Sequence, residues 1–161
     1  GQLELARDLF VFACFTGLSY SDAKTLSSAE IKTIGSHKMI YKYRRKTNIL
    51  SRIPLHRPAK EILEKYNGHN NNAHSLLPVP SNQKLNAQLK ELAIQCGILK
   101  NLTFHMARHT FASTICLGNG VKVESLAKML GHTKITTTMI YAHVMDDKLI
   151  EDTRGIEEEY G

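Results

Sequence analysis

The segment Leu102–Ala112 reads LTFHMARHTFA and sets His105, Arg108 and His109 within five residues, flanked by Phe104 and Phe111. On a helix, His105 and His109 stand one turn apart at i and i+4, a spacing with which two imidazoles can clamp zinc. His105 and Arg108, at i and i+3, share a face that can instead grip an anion. A zincin helix carries a glutamate directly after its first histidine as general base, and here that residue is Met106. With the base missing and no third ligand evident, the anion reading is the better one, and no metal or other cofactor is expected.

Two more places carry groups that suit an anion. In GHTKITTTMIY, His132 follows the helix-stopping Gly131 and Tyr141 stands nine residues further on. In RRKTNILSRIPL, Lys46 lies on a basic turn eight residues before Pro54. In this order and at these spacings, the chain resembles the catalytic domain of the tyrosine recombinase, or phage integrase, family. His105, Met106, Ala107 and Arg108 match the His-x-x-Arg box, and Leu130, Gly131 and His132 match the Leu-Gly-His box. Thr138 to Tyr141 match the nucleophile segment, Lys46 matches the hairpin lysine, and Thr16, Gly17 and Leu18 with Asp22 match the first box. The resemblance runs from the first helix to Tyr141; each box is common alone, whereas their order is specific.

One position departs from the pattern. After Thr-Gly-Leu the family normally has arginine, and here it is Ser19. The variant is similar to integrases of Bacteroides-type mobile elements, in which this arginine is commonly absent. A phosphate ligand is therefore unaccounted for, and Arg44 and Arg45 are the candidates to replace it. Strand side chains alternate faces, so Arg44 is expected to share the face of Lys46, and Arg45 to point away unless the turn twists it inward.

What the resemblance implies is strand cleavage by transesterification. Tyr141 would be the nucleophile, and its 3′-phosphotyrosyl link would conserve the bond energy for religation. Lys46 would protonate the 5′-oxygen leaving group, and His105 would act as general base or acid near Tyr141. Arg108 would offer two parallel N–H bonds to the phosphate and His132 would donate to a second oxygen, with Asp22 in support. His109 fills no box, and His143 follows two residues after Tyr141; both read as local structural support.

These groups need elements to hold them. ELARDLFVFACF has a buried helix's spacing and stops at Thr16 and Gly17, and SYSDAKTL starts a second helix with Ser19 or Ser21 as its cap. Residues 31–55 turn β-rich, as a hairpin or small sheet with a basic turn. AKEILEKY and NAQLKELAIQCG are helical on either side of the polar break NGHNNNAHS, the long loop expected from composition. HMARHTFASTICLGNG is a helix ending at Gly118 or Gly120, and VESLAKML is a short amphipathic helix stopped by Gly131. The fold class expected is mostly α with a small antiparallel β-sheet, the tyrosine recombinase catalytic-domain fold of DNA breaking-rejoining enzymes.

The 161 residues, 42% hydrophobic, suffice for one core and predict a single catalytic domain over residues 1–161. No apolar run approaches the ~20 residues that span a bilayer, and GQLELARDLF lacks a signal peptide's order, so a cytoplasmic protein is expected. Cys14, Cys96 and Cys116 sit in apolar runs and read as reduced core thiols. Net charge is +6, but residues 145–161 carry −5 and the remainder +11. So basic a body suits a polyanion. The acidic tail, with Leu149, Ile150 and Ile156, suits docking on a neighbouring protomer instead.

The resemblance implies double-stranded DNA attachment sites as substrate, a homotetramer on DNA, accessory DNA-bending proteins and bacterial nucleoid DNA as the place of action, for a mobile genetic element. It also implies an N-terminal core-binding domain, for which these residues offer no counterpart. Two rivals stay open: a type IB topoisomerase-like nicking-closing enzyme, and a DNA-binding module with a decayed active site.

Overall fold

The computed structural model describes residues 1–69, 74–142 and 146–161. His143, Met145 and the middle of the expected Asn-rich loop lie outside the described residues.

Helix α1 (Gln2–Thr16) forms because Ala6, Leu9, Phe12 and Ala13 recur at helical spacing, and all four are buried. Gly17 ends it in the left-handed conformation at φ 72°, its N–H donating to the Ala13 carbonyl at 2.8 Å. A side chain there would fail twice, because a Cβ on Gly17 would stand 2.4 Å from the Phe111 ring. Ser19 then caps α2 (Tyr20–Lys24) by accepting the Asp22 N–H at 3.3 Å.

Three antiparallel strands follow: β1 (Ile31–Ile34), β2 (His37–Tyr43) and β3 (Leu50–Pro54), in the order β1-β2-β3. Ile40 pairs with Ile31 on one side and Ile53 on the other, so an isoleucine row crosses the sheet, and Ile40 and Ile53 are fully buried. On the same face Lys42 is buried opposite Ser51 and donates to Glu30 at 3.0 Å, so its charge is matched where water is excluded.

Helices α3 (Arg57–Lys65) and α4 (Asn82–Gln95) pack with α1. Asp8 of α1, itself buried, accepts from Lys65 Nζ at 2.7 Å, Tyr66 Oη at 2.6 Å and Arg7 Nη2 at 2.8 Å, which ties α1 to the end of α3. Leu9, Phe12, Leu85, Leu89 and Phe104 form the centre of the core, each worth roughly 1.5–3 kcal/mol in burial.

The remaining helices carry the candidate site. Helix α5 (His105–Thr110) packs on α1 and continues without a break into a π-helical turn (Phe111–Cys116) and a 3₁₀ turn (Leu117–Asn119), ended by Gly120 at φ 83°. The helix expected here is therefore right in extent, but its second half is wider-wound, in the stretch that lays the Phe111 ring against Gly17. Helix α6 (Val123–Leu130), capped by left-handed Gly131, packs on β3. Helix α7 (Ile135–Thr138) runs into a 3₁₀ turn (Met139–Tyr141), and the tail forms α8 (Asp146–Asp152) and α9 (Arg154–Tyr160).

Cys14 and Cys116 are buried and free, and burial pushes their thiols up to about 11 and about 12. Cys96 corrects the reading of three core thiols: as the cap residue after the last turn of α4, beyond Ala93, the last buried residue of that helix, it is exposed. Among the described residues no helix is long and apolar enough to cross a membrane.

Candidate active site

Arg108 lies at the centre. It is 5% exposed, and its guanidinium bridges the ends of two helices, Nη1 donating to the Gly17 carbonyl at 2.6 Å and Nη2 to the Leu130 carbonyl at 2.9 Å. Both acceptors lie at helix C-termini, where the backbone dipole favours a cation. Two of its five N–H groups are thus spent on holding it still, and three remain for a ligand. Burial first, then the neighbouring Arg44 charge, lower its pKa to about 10, against an opposing pull from Tyr141 and Asp22; at neutral pH it stays cationic.

Arg44 meets Arg108 at the same atom, its Nη1 donating to the Leu130 carbonyl at 3.3 Å. Its stem fills the space a side chain at Gly131 would need: a Cβ there would stand 2.7 Å from Arg44 Cδ and 2.7 Å from Ser51 Oγ. The Arg44 side chain is 11% exposed and its Nε lies 3.6 Å from Asp22 Oδ2. That Nε is buried with no hydrogen-bond acceptor among the described residues. Asp22 is the carboxylate paired with Arg44, and it also accepts the Ser19 hydroxyl at 3.0 Å and the Arg45 backbone N–H at 3.0 Å. Two guanidiniums against one buried carboxylate leave a local excess of positive charge.

Contrary to expectation, strand alternation does not place Arg44. Strand β2 stops at Tyr43, and Arg44 opens a turn closed by its N–H to the Ile49 carbonyl at 2.9 Å, with Asn48 at φ 56°. Arg44 and Lys46 therefore share no strand face. Arg44 turns inward under α6 while Arg45 and Lys46 are exposed on the loop, and only the backbone of Arg45 reaches Asp22.

His132 follows Gly131, and its Nδ1 lies 2.7 Å from the hydroxyl of fully buried Thr138, which fixes the ring and leaves Nε2 as the nitrogen turned to other partners. Burial, then the charges of Arg108 and Arg44, lower its pKa. His105, the first residue of α5, is likewise shifted down, by burial and then by His109, Arg108, Lys46 and Arg44. The loop cation Lys46 is thus within electrostatic reach of His105. Both imidazoles are thereby biased toward the neutral form.

Tyr141 ends its 3₁₀ turn with 8% exposure. Its ring packs edge-to-face on His109 at 5.3 Å between centroids, and His109 in turn on His105 at 4.8 Å. Sequence reasoning misses this contact of His109, although the i+4 spacing from His105 puts it on that face. It also misses the two backbone carbonyls that seat Arg108, since every residue has one. Among the described residues no third His, Cys, Asp or Glu joins His105 and His109 in a metal-holding group.

Tyr141, Arg108, Arg44, His132 and His105 thus surround one region, with Lys46 on the exposed loop that follows Arg44, and apart from the phenol all are cationic or able to become so. Such an arrangement can bind a phosphodiester and neutralise charge developing on its oxygens.

The phage integrase family matches residues 5–148. The tyrosine recombinase XerD of Oceanobacillus iheyensis is 32% identical over 147 residues, covering 83% of this chain and 48% of that protein. XerD of Agrobacterium fabrum is 30% identical over 162 residues, covering 84% and 48%. The chain thus spans about half the length of the curated relatives it matches. Among solved structures it is similar to the XerH site-specific recombinase bound to palindromic difH substrate in a post-cleavage complex, with TM-score 0.70 and 19% identity over 98% of this chain and 47% of that one. The Tn1549 transposon integrase in complex with transposon right-end DNA aligns with TM-score 0.65 and 18% identity over 93% and 58%. At these identities the two structures speak for the fold.

Proposed function

Because the chain belongs to the phage integrase family, we propose that it is the catalytic domain of a site-specific DNA recombinase, serving a mobile genetic element and acting on double-stranded attachment sites. The observation that carries this reading is the pair of guanidiniums, Arg108 and Arg44, held side by side on the Leu130 carbonyl with Tyr141 and His132 beside them.

In the proposed reaction the Tyr141 oxygen attacks the scissile phosphorus, forming the phosphotyrosyl bond as the bond to the 5′-oxygen breaks. His105 takes the phenol proton and Lys46 gives a proton to the departing oxygen. Arg108, Arg44 and His132 hold the non-bridging oxygens, whose charge grows in the transition state, while Asp22 keeps Arg44 in place. Attack by a 5′-hydroxyl of the partner duplex reverses these steps and releases Tyr141.

Nicked suicide duplexes with randomised cores test this directly. Cleavage beside the nick lets the short product diffuse away, so the full chain should be trapped on DNA through Tyr141, and the trapped sequences would report the target. If no covalent species forms while DNA still binds, the chain is a binding module. An adduct accompanied by supercoil relaxation without strand exchange would make it a nicking-closing enzyme.

We also propose that the acidic tail docks on a neighbouring protomer of a homotetramer. Leu149, Ile150, Ile156 and Tyr160 are all exposed along α8 and α9, and the surrounding carboxylates disfavour a place on DNA. Removing residues 146–161 is expected to preserve the folded core, measured by thermal melting, and to lower the cooperativity of assembly on DNA, measured by gel shift. Unchanged assembly and unchanged exchange kinetics would count against the docking role.

A further inference from the structure

His109 belongs to none of the boxes, yet its ring touches both the proposed nucleophile and the proposed general base. Its ring meets Tyr141 at 5.3 Å and an interplanar angle of 62°, and His105 at 4.8 Å and 86°. Both are the edge-to-face geometries in which the positive edge of one ring lies over the electron-rich face of another.

The local structure explains why such a contact matters. Tyr141 ends a single 3₁₀ turn after a helix of only four residues, and elements this short have little stability of their own. Helix α5, by contrast, is pinned by buried Ala107 and by Arg108's two backbone hydrogen bonds. His109 is the residue of α5 whose ring packs on the Tyr141 ring, so it relates the nucleophile's position to the helix that carries Arg108.

We propose that His109 is a positioning residue whose ring sets the mutual geometry of Tyr141 and His105 for strand cleavage. The inference rests on the recombinase reading given above. It concerns ring shape and packing, and it assigns His109 no contact with DNA and no proton transfer. A separate consequence follows for His105: burial first, then His109, Arg108, Lys46 and Arg44 depress it, so removing His109 takes away one of these causes.

The test uses the full chain and the suicide duplexes that wild type cleaves, in single turnover at saturating DNA. His109→Ala loses both ring contacts and is expected to slow cleavage about tenfold while DNA affinity changes by less than about twofold. His109→Phe keeps a ring of similar breadth and is expected to recover the plateau rate to within about threefold of wild type. In both variants the His105 titration, followed by its imidazole NMR signals, should move to higher pH, because one of the groups that depress it is gone. The acid limb of the cleavage profile should move the same way, since a neutral His105 is the active form. The Tyr141 ring signals should shift in the alanine variant and stay near wild type in the phenylalanine one.

Wild-type cleavage by His109→Ala overturns the proposal alone. So does a phenylalanine variant as slow as alanine, since a ring nitrogen and not a ring would then be needed. A wild-type chain that forms no adduct overturns the recombinase reading and this inference with it.

Discussion

Tyr141→Phe is expected to abolish the covalent protein–DNA adduct outright, with DNA affinity within about twofold of wild type. The substitution removes a single oxygen, the one that would form the phosphotyrosyl bond. The ring remains, with its packing on His109 and its place in the core, so the turn that carries it keeps its shape. Affinity comes from cations and the counterions they release, and none of Arg44, Lys46 or Arg108 is touched. The measurement is denaturing electrophoresis of the suicide-substrate reaction beside a native binding titration. The other tyrosines make the outcome sharp. Tyr20 donates its hydroxyl to the Pro80 carbonyl at 2.6 Å and Tyr66 to buried Asp8 at 2.6 Å, so both are committed to structure. Burial and the Asp8 contact also push the Tyr66 phenol up to about 12, away from nucleophilic use. If the phenylalanine variant still forms an adduct, the nucleophile lies elsewhere, and exposed Tyr43 on β2 is the first to test.

Elements whose signal is local are legible in the amino-acid sequence alone. Helix α1 and its Gly17 stop, a cap of α2 at Ser19 or Ser21, and α6 with its Gly131 stop each follow from short-range periodicity and a residue of special conformation, and the structure gives the cap to Ser19. The first strand, β1, carries a weaker signal, since its four residues are mostly exposed and show no clean alternation. The π-helical turn after α5 is not legible, because no residue type marks the one-residue slip; what distinguishes Phe111 is its distant partner, Gly17. The candidate site divides in the same way. Residue types and spacing nominate His105, Arg108, His132 and Tyr141, but what fixes them is tertiary: two helix-end carbonyls for Arg108, the Thr138 hydroxyl for His132, and His109 for Tyr141. Face alternation nominates Arg44 but fails at the end of β2, and the side chain turns inward for another reason, the space left by a glycine at position 131.

That placement turns the empty position at Ser19 into a quantitative expectation. Ser19 and Arg44 reach the same carboxylate oxygen, Asp22 Oδ2, at 3.0 and 3.6 Å. An arginine at position 19 and the arginine at position 44 would thus start from different segments and arrive at one place. Arg44 Nε is buried against Asp22 Oδ2, which holds the stem, so the Nη groups beside Arg108 are the ones a phosphate oxygen can meet. Removing one preorganised donor from such a site costs roughly 3–4 kcal/mol in the transition state, so Arg44→Ala should slow single-turnover cleavage at saturating DNA by more than about a hundredfold. Adding Ser19→Arg to that variant should restore part of the rate, although it gives up the α2 cap at a cost of about 1 kcal/mol in stability, which melting would register. Arg45→Ala supplies the contrast. Its side chain is exposed and only its backbone meets Asp22, so the variant should weaken binding and flatten the salt dependence while cleaving at the normal rate once bound. Should Arg44→Ala cleave normally at saturation, the second guanidinium is not a phosphate ligand; should Arg45→Ala be the slow variant instead, the loop must rearrange on DNA to exchange the two arginines.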